Sequence, residues 1–316
     1  MGGDVQEFVS HARAEIGKVI VGQEEFTNQM LAVLICGGHA LLEGVPGIAK
    51  TLAVKALAHI YGLDFQRVQC TPDLMPADIL GANVFNMASN TFTLRRGPIF
   101  TGLLLVDEVN RVPPRTQSAL LESMEERQVT LDGTCYPLSP YFTVFATQNP
   151  VEFEGTYPLP EAQLDRFLFK IRVPYPSADK EVEILERYQH GFDPNHLETV
   201  GLIPVEPGML AAARREVAEL KVEPGIFRYI VAVIQRTREW PALSLGGSPR
   251  ATVALMLAAK TLAAMEGRDY VIPDDVKAAA LPVLRHRLII KPEADLEGIS
   301  SDHVVAEVLA AVEVPK

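Results

Sequence analysis

The feature that most restricts this chain is Gly44-Val-Pro-Gly-Ile-Ala-Lys-Thr51, set between an apolar run and a helical pattern. A loop of this kind works only where a strand hands over to a helix. Gly44 and Gly47 let the backbone turn so that its N–H groups converge on phosphate oxygens. Lys50 reaches the terminal phosphates, and the Thr51 hydroxyl is placed to ligate Mg²⁺. The remaining loop positions, Val45, Pro46, Ile48, Ala49 and the following Leu52, are expected to line the same nucleotide. Ala49 stands where a third glycine is usual, and is expected to be tolerated as a right-handed residue at the helix start.

The rest of the first half follows the same rhythm. Strands are expected at 39–43, 65–69, 103–106, 142–147 and 169–173, with helices near 50–61, 114–126 and 161–167 between them. Continuous apolar runs such as Leu103-Leu-Leu-Val106 suit strands covered on both faces of a parallel sheet. Two segments interrupt the alternation. Val129–Tyr136 reads as a tight hairpin, because Asp132-Gly133 suits a type I′ turn. Val84–Arg95 reads as a looser one. After Val173-Pro-Tyr-Pro176 no further strand is expected, so a boundary near Pro176 divides a nucleotide-binding core, 1–176, from an all-helical region, 177–316. There Ser248 followed by Pro249 marks an N-cap with proline at the first helical position.

The run Leu103-Leu-Leu-Val ends in two adjacent carboxylates, Asp107 and Glu108. At the end of a buried strand these would be costly unless a cation and a reacting water use them. Asp107 then serves Mg²⁺, usually through water, and Glu108 activates the attacking water. The strand ending at Thr147 runs into Gln148-Asn149-Pro150, whose carboxyl end should lie beside the phosphate loop. Asn149 there orients the water or senses the γ-phosphate; turn chemistry is the competing explanation. Arg166 and Arg250, the second at a helix start where its charge opposes the helix dipole, fit residues that face a phosphate. A surface ion pair is the alternative for each.

With 29 basic against 40 acidic side chains and a net charge of −11, a broad nucleic-acid-binding surface is disfavoured. Cys36, Cys70 and Cys135 lack metal-site spacing and read as buried reduced thiols. The N-terminus lacks a basic segment followed by an apolar one, Gln6 stands where a myristoylation signal wants Ser or Thr, and Phe26–Leu42 is too polar and short to span a membrane. A cytoplasmic protein is expected.

Taken together, Gly44–Thr51, Leu103–Arg111, Thr147–Pro150, Leu159–Phe167 and Gly246–Arg250 resemble the AAA+ ATPases of the MoxR family. The likeness runs from about Val21-Gly-Gln23 to about Leu288, and 107–129 is its most specific stretch. The resemblance implies a P-loop αβα sandwich with a parallel five-stranded sheet in the order 5-1-4-3-2 and a C-terminal helical lid. It implies that Val84–Arg95 is an insert in the second helix and 129–136 the hairpin before sensor 1. By the same likeness Asn149 is sensor 1, Arg250 is sensor 2, Arg166 is the arginine finger that reaches a neighbour's nucleotide, and Val21, Gly22 and Gln23 meet the adenine side. Arg111 is the other candidate for the trans arginine. Such proteins are similar to chaperone-like remodellers that form hexameric rings, use ATP and Mg²⁺, and work with partners carrying a von Willebrand factor A domain to insert metals or cofactors. An ATP-driven remodeller of a protein client is therefore the main expectation; a nucleotide-gated assembly module and a nucleic-acid-stimulated motor are the alternatives.

Overall fold

The computed structural model describes residues 3–45, 47, 49–87, 90–148 and 156–315. In chain order the elements are α1 (Asp4–Gly17), α2 (Glu24–Cys36), β1 (Ala40–Glu43), α3 (Lys50–Ile60), β2 (Phe65–Gln69), α4 (Pro76–Leu80), β3 (Gly81–Asn86), β4 (Thr91–Arg96), β5 (Leu103–Asp107) and α5 (Pro114–Glu126). They continue with β6 (Gln128–Leu131), β7 (Thr134–Pro137), β8 (Thr143–Gln148), α6 (Glu161–Leu164), β9 (Phe169–Arg172), α7 (Ala178–Gln189), α8 (Met209–Glu219) and α9 (Pro224–Arg238). The last are β10 (Leu243–Leu245), α10 (Pro249–Met265), α11 (Pro273–Leu284), β11 (Ile289–Ile290), α12 (Pro292–Leu296) and α13 (Ser301–Ala311).

Five strands form one parallel sheet in the order β2-β5-β8-β1-β9. Counting only these core strands, that is the expected 5-1-4-3-2 order read from the other edge. The register decides where the chemistry collects. Glu43 of β1 pairs with Gln148 of β8, and Gln69 of β2 pairs with Asp107 of β5. The C-terminal ends of β1 and β8 therefore lie side by side at one end of the sheet, where open α/β sheets bind ligands.

Alternation along the strands separates two apolar layers. Leu42, Leu105 and Phe145 face one, together with α1, α2, α3 and the later helices. Leu41, Leu104, Val106, Val144 and Ala146 face the other, with Leu120, Leu121 and Met124 of α5. Helices α1 and α2, which the strand-centred reading does not place, pack against α8 and α10. In α1 the apolar stripe Val5, Phe8, Val9, Ala12 and Ile16 is buried, at helical spacing. The Phe8 ring stacks on Tyr61 at 4.5 Å between centroids.

Both hairpins form. In the tighter one Asp132 has φ 48° and Gly133 φ 79°, the two positive angles a type I′ turn requires. The other pairs Phe85 with Phe92 across β3–β4, and Met87 and Phe92 are strongly exposed near its tip. Asn83 donates to Asp132 Oδ2 at 2.8 Å, so one hairpin leans on the turn of the other.

The second half is helical, with one exception. β10 and β11 make an antiparallel ribbon, where no strand was expected after Pro176. At three and two residues they are too short to carry a readable alternation. Ser248 caps α10 as expected, its Oγ accepting from the Ala251 N–H at 3.3 Å. Cys70 is buried, but Cys135, expected to be buried, is exposed on β7. It belongs to a two-stranded ribbon that has no layer covering its outer face. Among the described residues, no helix is long and apolar enough to cross a membrane.

Candidate nucleotide site

Between β1 and α3 the chain must reverse before the helix begins at Lys50. Gly47 turns with φ 86° and has open space around it. Ala49, the helix N-cap, is left-handed at φ 61° and ψ 17°, contrary to the right-handed conformation expected of it. The reversal is still being completed at that residue, which is why a glycine is usual there. An L-residue in this region costs about 1–2 kcal/mol. Such strain persists where the surroundings over-determine it. Lys50 Nζ donates back to the Gly44 carbonyl at 2.6 Å. Burial lowers its pKa, against the opposing fields of Asp107 and Glu108.

The two carboxylates are held differently. Asp107 Oδ2 accepts from Arg67 Nε at 2.6 Å. Its Oδ1 accepts from the Thr147 hydroxyl at 3.2 Å, and that hydroxyl oxygen in turn accepts the Glu108 N–H at 2.9 Å. Thr147 thus orders both residues through one oxygen. Glu108 is left-handed, φ 59° and ψ 50°. Its Oε2 accepts from Gln69 Nε2 at 3.0 Å and pairs with Arg111 Nε at 3.1 Å. Arg111 is therefore a neighbour of its own subunit's Glu108.

Lys50, Arg67, Gln69, Asp107, Glu108 and Thr147 line one cavity of about 680 Å³, a volume suited to a nucleoside triphosphate. Gly47, Ala49, Lys50, Thr51, Leu52, Asp107, Glu108 and Thr147 border it; Val21, Tyr175, Pro176, Ile184 and Tyr188 add apolar wall, and the polar Gln23 stands among them. Gln23 Nε2 donates to the Pro174 carbonyl at 2.8 Å, which ties the Val21-Gly-Gln23 turn to the chain leaving β9. At Gly22, φ 67°, a Cβ would stand 2.6 Å from Lys180 Cγ, so the turn has no room for a side chain. Gly44 and Val45 are not part of the cavity wall; Gly44 contributes its carbonyl to Lys50. Pro46, Ile48 and Asn149 lie outside the described residues.

The donor set suits Mg²⁺. Thr51 and Asp107 offer hard oxygen ligands, and no group of three His, Cys, Asp or Glu that could cage a metal occurs among the described residues. Mg²⁺ is usually bound through one or two such oxygen ligands together with phosphates and water.

Arg166 and Arg250 depart from expectation. Neither borders the cavity. Arg166 Nε lies 3.0 Å from Glu125 Oε2, and Arg250 pairs with the other oxygen of the same carboxylate. The two arginines, from α10 and from the turn after α6, sit side by side at the C-terminal end of α5. Sequence reasoning had no means of finding Glu125, one of several carboxylates on that helix. Arg67 and Gln69 were findable: with Phe65 they share one side of β2 by the two-residue alternation of a strand.

Comparison with known proteins agrees with this geometry. Residues 39–169 match the family model for the ATPase family associated with various cellular activities, and residues 235–308 match that for the AAA lid domain. Chaperone MoxR1 of Mycobacterium tuberculosis is 43% identical over 311 residues, covering 96% of this chain and 81% of that protein. The chain belongs to the MoxR family of AAA+ ATPases. The uncharacterized protein YeaC of Bacillus subtilis is 46% identical over 312 residues, covering 99% of this chain and 96% of its own. A crystal structure from Cytophaga hutchinsonii, described provisionally as an ATPase, superposes with a TM-score of 0.90 at 40% identity, covering 99% of this chain and 96% of that one. In this MoxR-family chain, α7 with Ile184 and Tyr188 falls between the two matched regions, so the apolar wall of the cavity is partly built from residues neither model covers.

Proposed function

We propose that this MoxR-family ATPase binds Mg²⁺-ATP, hydrolyses it, and uses the cycle to remodel a protein client. The observation that carries the reading is the pair Asp107 and Glu108, ordered through Thr147 at the wall of the cavity that Lys50 and Thr51 also line. The phosphate loop binds the triphosphate, with Gly44, Val45, Pro46, Gly47, Ile48, Ala49 and Leu52 around it. The Val21-Gly-Gln23 turn meets the adenine. Thr51 and Asp107 would hold Mg²⁺, which neutralises charge building on the phosphates. Glu108 takes a proton from the water as its oxygen attacks the γ-phosphorus and ADP leaves. Asn149 orients that water.

Arg166 and Arg250 complete the site of a neighbouring subunit in a ring, for which a hexamer is the reading. Their place on Glu125, away from their own cavity, supports action in trans. The apolar, exposed β3–β4 hairpin and the β6–β7 hairpin that it touches are the client-facing surface. A von Willebrand factor A domain partner, insertion of metals or cofactors, a cytoplasmic location and a core–lid boundary at Pro176 complete the proposal.

The test is a pair of variants. Lys50→Ala should lose ATP binding, because Lys50 meets the ground-state phosphates. Glu108→Gln should bind ATP and fail to hydrolyse it, because Glu108 acts in the transition state. Turnover of Glu108→Gln within about threefold of wild type, well under the tenfold that 1.36 kcal/mol represents, would remove Glu108 from the base role.

A further inference from the structure

The segment that carries Arg166 is gripped from the lid side. Arg287, with its side chain only 4% exposed, donates from Nε to Asp165 Oδ1 at 2.6 Å. Its terminal nitrogens reach the carbonyls of Asp165 at 3.1 Å, Phe167 at 2.7 Å and Leu168 at 3.1 Å, on either side of Arg166. The second carboxylate oxygen of Asp165 accepts from the Ser248 hydroxyl at 3.1 Å. That same hydroxyl oxygen caps α10, whose second residue is Arg250. Arg166 follows Asp165 by one residue and Arg250 follows Ser248 by two. The two arginines therefore hang from the two ends of one hydrogen bond, and Glu125 joins them at their tips.

We propose that Asp165 is a positioning residue: through Ser248 and Arg287 it fixes Arg166 and Arg250 as one two-arginine unit, so that the turn after α6 and the start of α10 present them together. The inference rests on the reading that these arginines act on a neighbour's nucleotide. Neither the capping of α10 nor the Arg287–Asp165 pair needs the Asp165–Ser248 contact for its own sake. Ser248 caps the helix with an oxygen lone pair, which leaves its hydroxyl proton available. Arg287 already meets backbone carbonyls. What the Asp165–Ser248 contact adds is a fixed spacing between the two arginines. That spacing matters most when Glu125 yields them to a phosphate, since the join at their tips is then gone and only the join at their base remains. A displacement of about 1 Å at reacting groups can cost about a hundredfold in rate.

Removing Asp165 would leave Arg287 buried without its carboxylate and risks the fold, so the test acts on Ser248 in the full-length protein. Ser248→Gly deletes the contact while keeping an acceptable N-cap. Ser248→Asp keeps the capping oxygen but sets a carboxylate against Asp165. Ser248→Thr keeps both the acceptor and the proton. The expected result is unchanged ATP affinity in all three. Turnover at saturating ATP should fall about a hundredfold in the Gly and Asp variants and be retained in the Thr variant. Mixing Ser248→Gly with Lys50→Ala should restore activity, because the second protein supplies intact arginines to intact phosphate loops. Turnover of folded Ser248→Gly and Ser248→Asp within about threefold of wild type, well under a 1.36 kcal/mol change, would overturn the proposal. The control mixes Arg166→Ala with Lys50→Ala. If these co-assemble and no activity returns, the reading of the arginines in trans fails and takes the proposal with it. If activity returns there but the Ser248 variants behave as wild type, only the positioning role fails.

Discussion

Gln69, on the strand next to β5, donates a 3.0 Å hydrogen bond to the Oε2 atom of Glu108, the oxygen that Arg111 also holds. The carboxylate proposed to activate water is thus turned toward β2 by a neutral amide and toward its own chain by a cation. Release of either contact is a way of freeing it.

Gln69→Ala removes the neutral partner. We expect basal ATP turnover to rise by about three- to tenfold with ATP affinity unchanged, since a net hydrogen bond contributes about 0.5–1.5 kcal/mol. Steady-state hydrolysis beside nucleotide titration checks this. A fall in turnover would mean that Gln69 aims Glu108 at the water instead of holding it aside.

Thr147→Val keeps the shape of the side chain and removes its hydroxyl. The Glu108 N–H and one oxygen of Asp107 then lose their shared partner. A buried polar group left unsatisfied costs about 1–3 kcal/mol, so a loss of about 2 kcal/mol in urea unfolding is expected. An unchanged midpoint would show that water replaces the hydroxyl at no cost.

His39 supplies a pH dependence. Burial pushes its pKa down to about 3, with Arg127 adding to the effect. Its Nδ1 accepts the Val144 N–H at 2.9 Å, and Nε2 lies 3.2 Å from the Met124 carbonyl, so the neutral ring bridges β8 and α5. The folded pKa lies below the unfolded one, so the unfolded chain binds the proton first. The contribution of His39 is full above about pH 6.5 and declines as pH falls toward 3, by about 2 kcal/mol at pH 5. The stability difference between wild type and His39→Asn, measured by urea unfolding, should shrink between pH 7.5 and pH 5. A constant difference would mean that the ring is not held neutral by the fold.

Replacing Val84–Leu94 by a short Gly/Ser linker should preserve fold and nucleotide affinity, because closing a surface loop of different length costs little. The cut spares the base, where a Cβ on Gly81 would meet the Arg95 carbonyl oxygen at 2.3 Å and one on Gly97 the Ile79 carbonyl oxygen at 2.2 Å. Client remodelling should be lost while ATP turnover continues. Loss of nucleotide binding would make the hairpin a structural part of the core.

Much of the core was legible because its strands announce themselves. Leu103–Val106 is an unbroken apolar run that ends in charge, and Asp132-Gly133 specifies its own turn. The capping of α10 was legible in Ser248-Pro249 for the same local reason. What could not be read is what distance in sequence hides. The shared grip of Glu125 on Arg166 and Arg250 joins three separate segments. The left-handed Ala49 follows from where the loop must end, and side-chain size alone argued the opposite. β11, at two residues, has no pattern to detect.

One apolar cluster runs from α1 and α2 through Leu42 and Phe145 of the sheet to Val276, Val283 and Val305 of the last helices. The chain passes Pro176 without a break in that cluster. Hydrogen exchange should therefore find no independently opening C-terminal unit: amides of α10 and α11 should exchange with the same free energy as those of β1 and β8, and heating should give a single melting transition. If the proposed ring forms, a subunit that opens only as a whole would pass the energy released at the phosphates to its neighbours as movement of entire subunits.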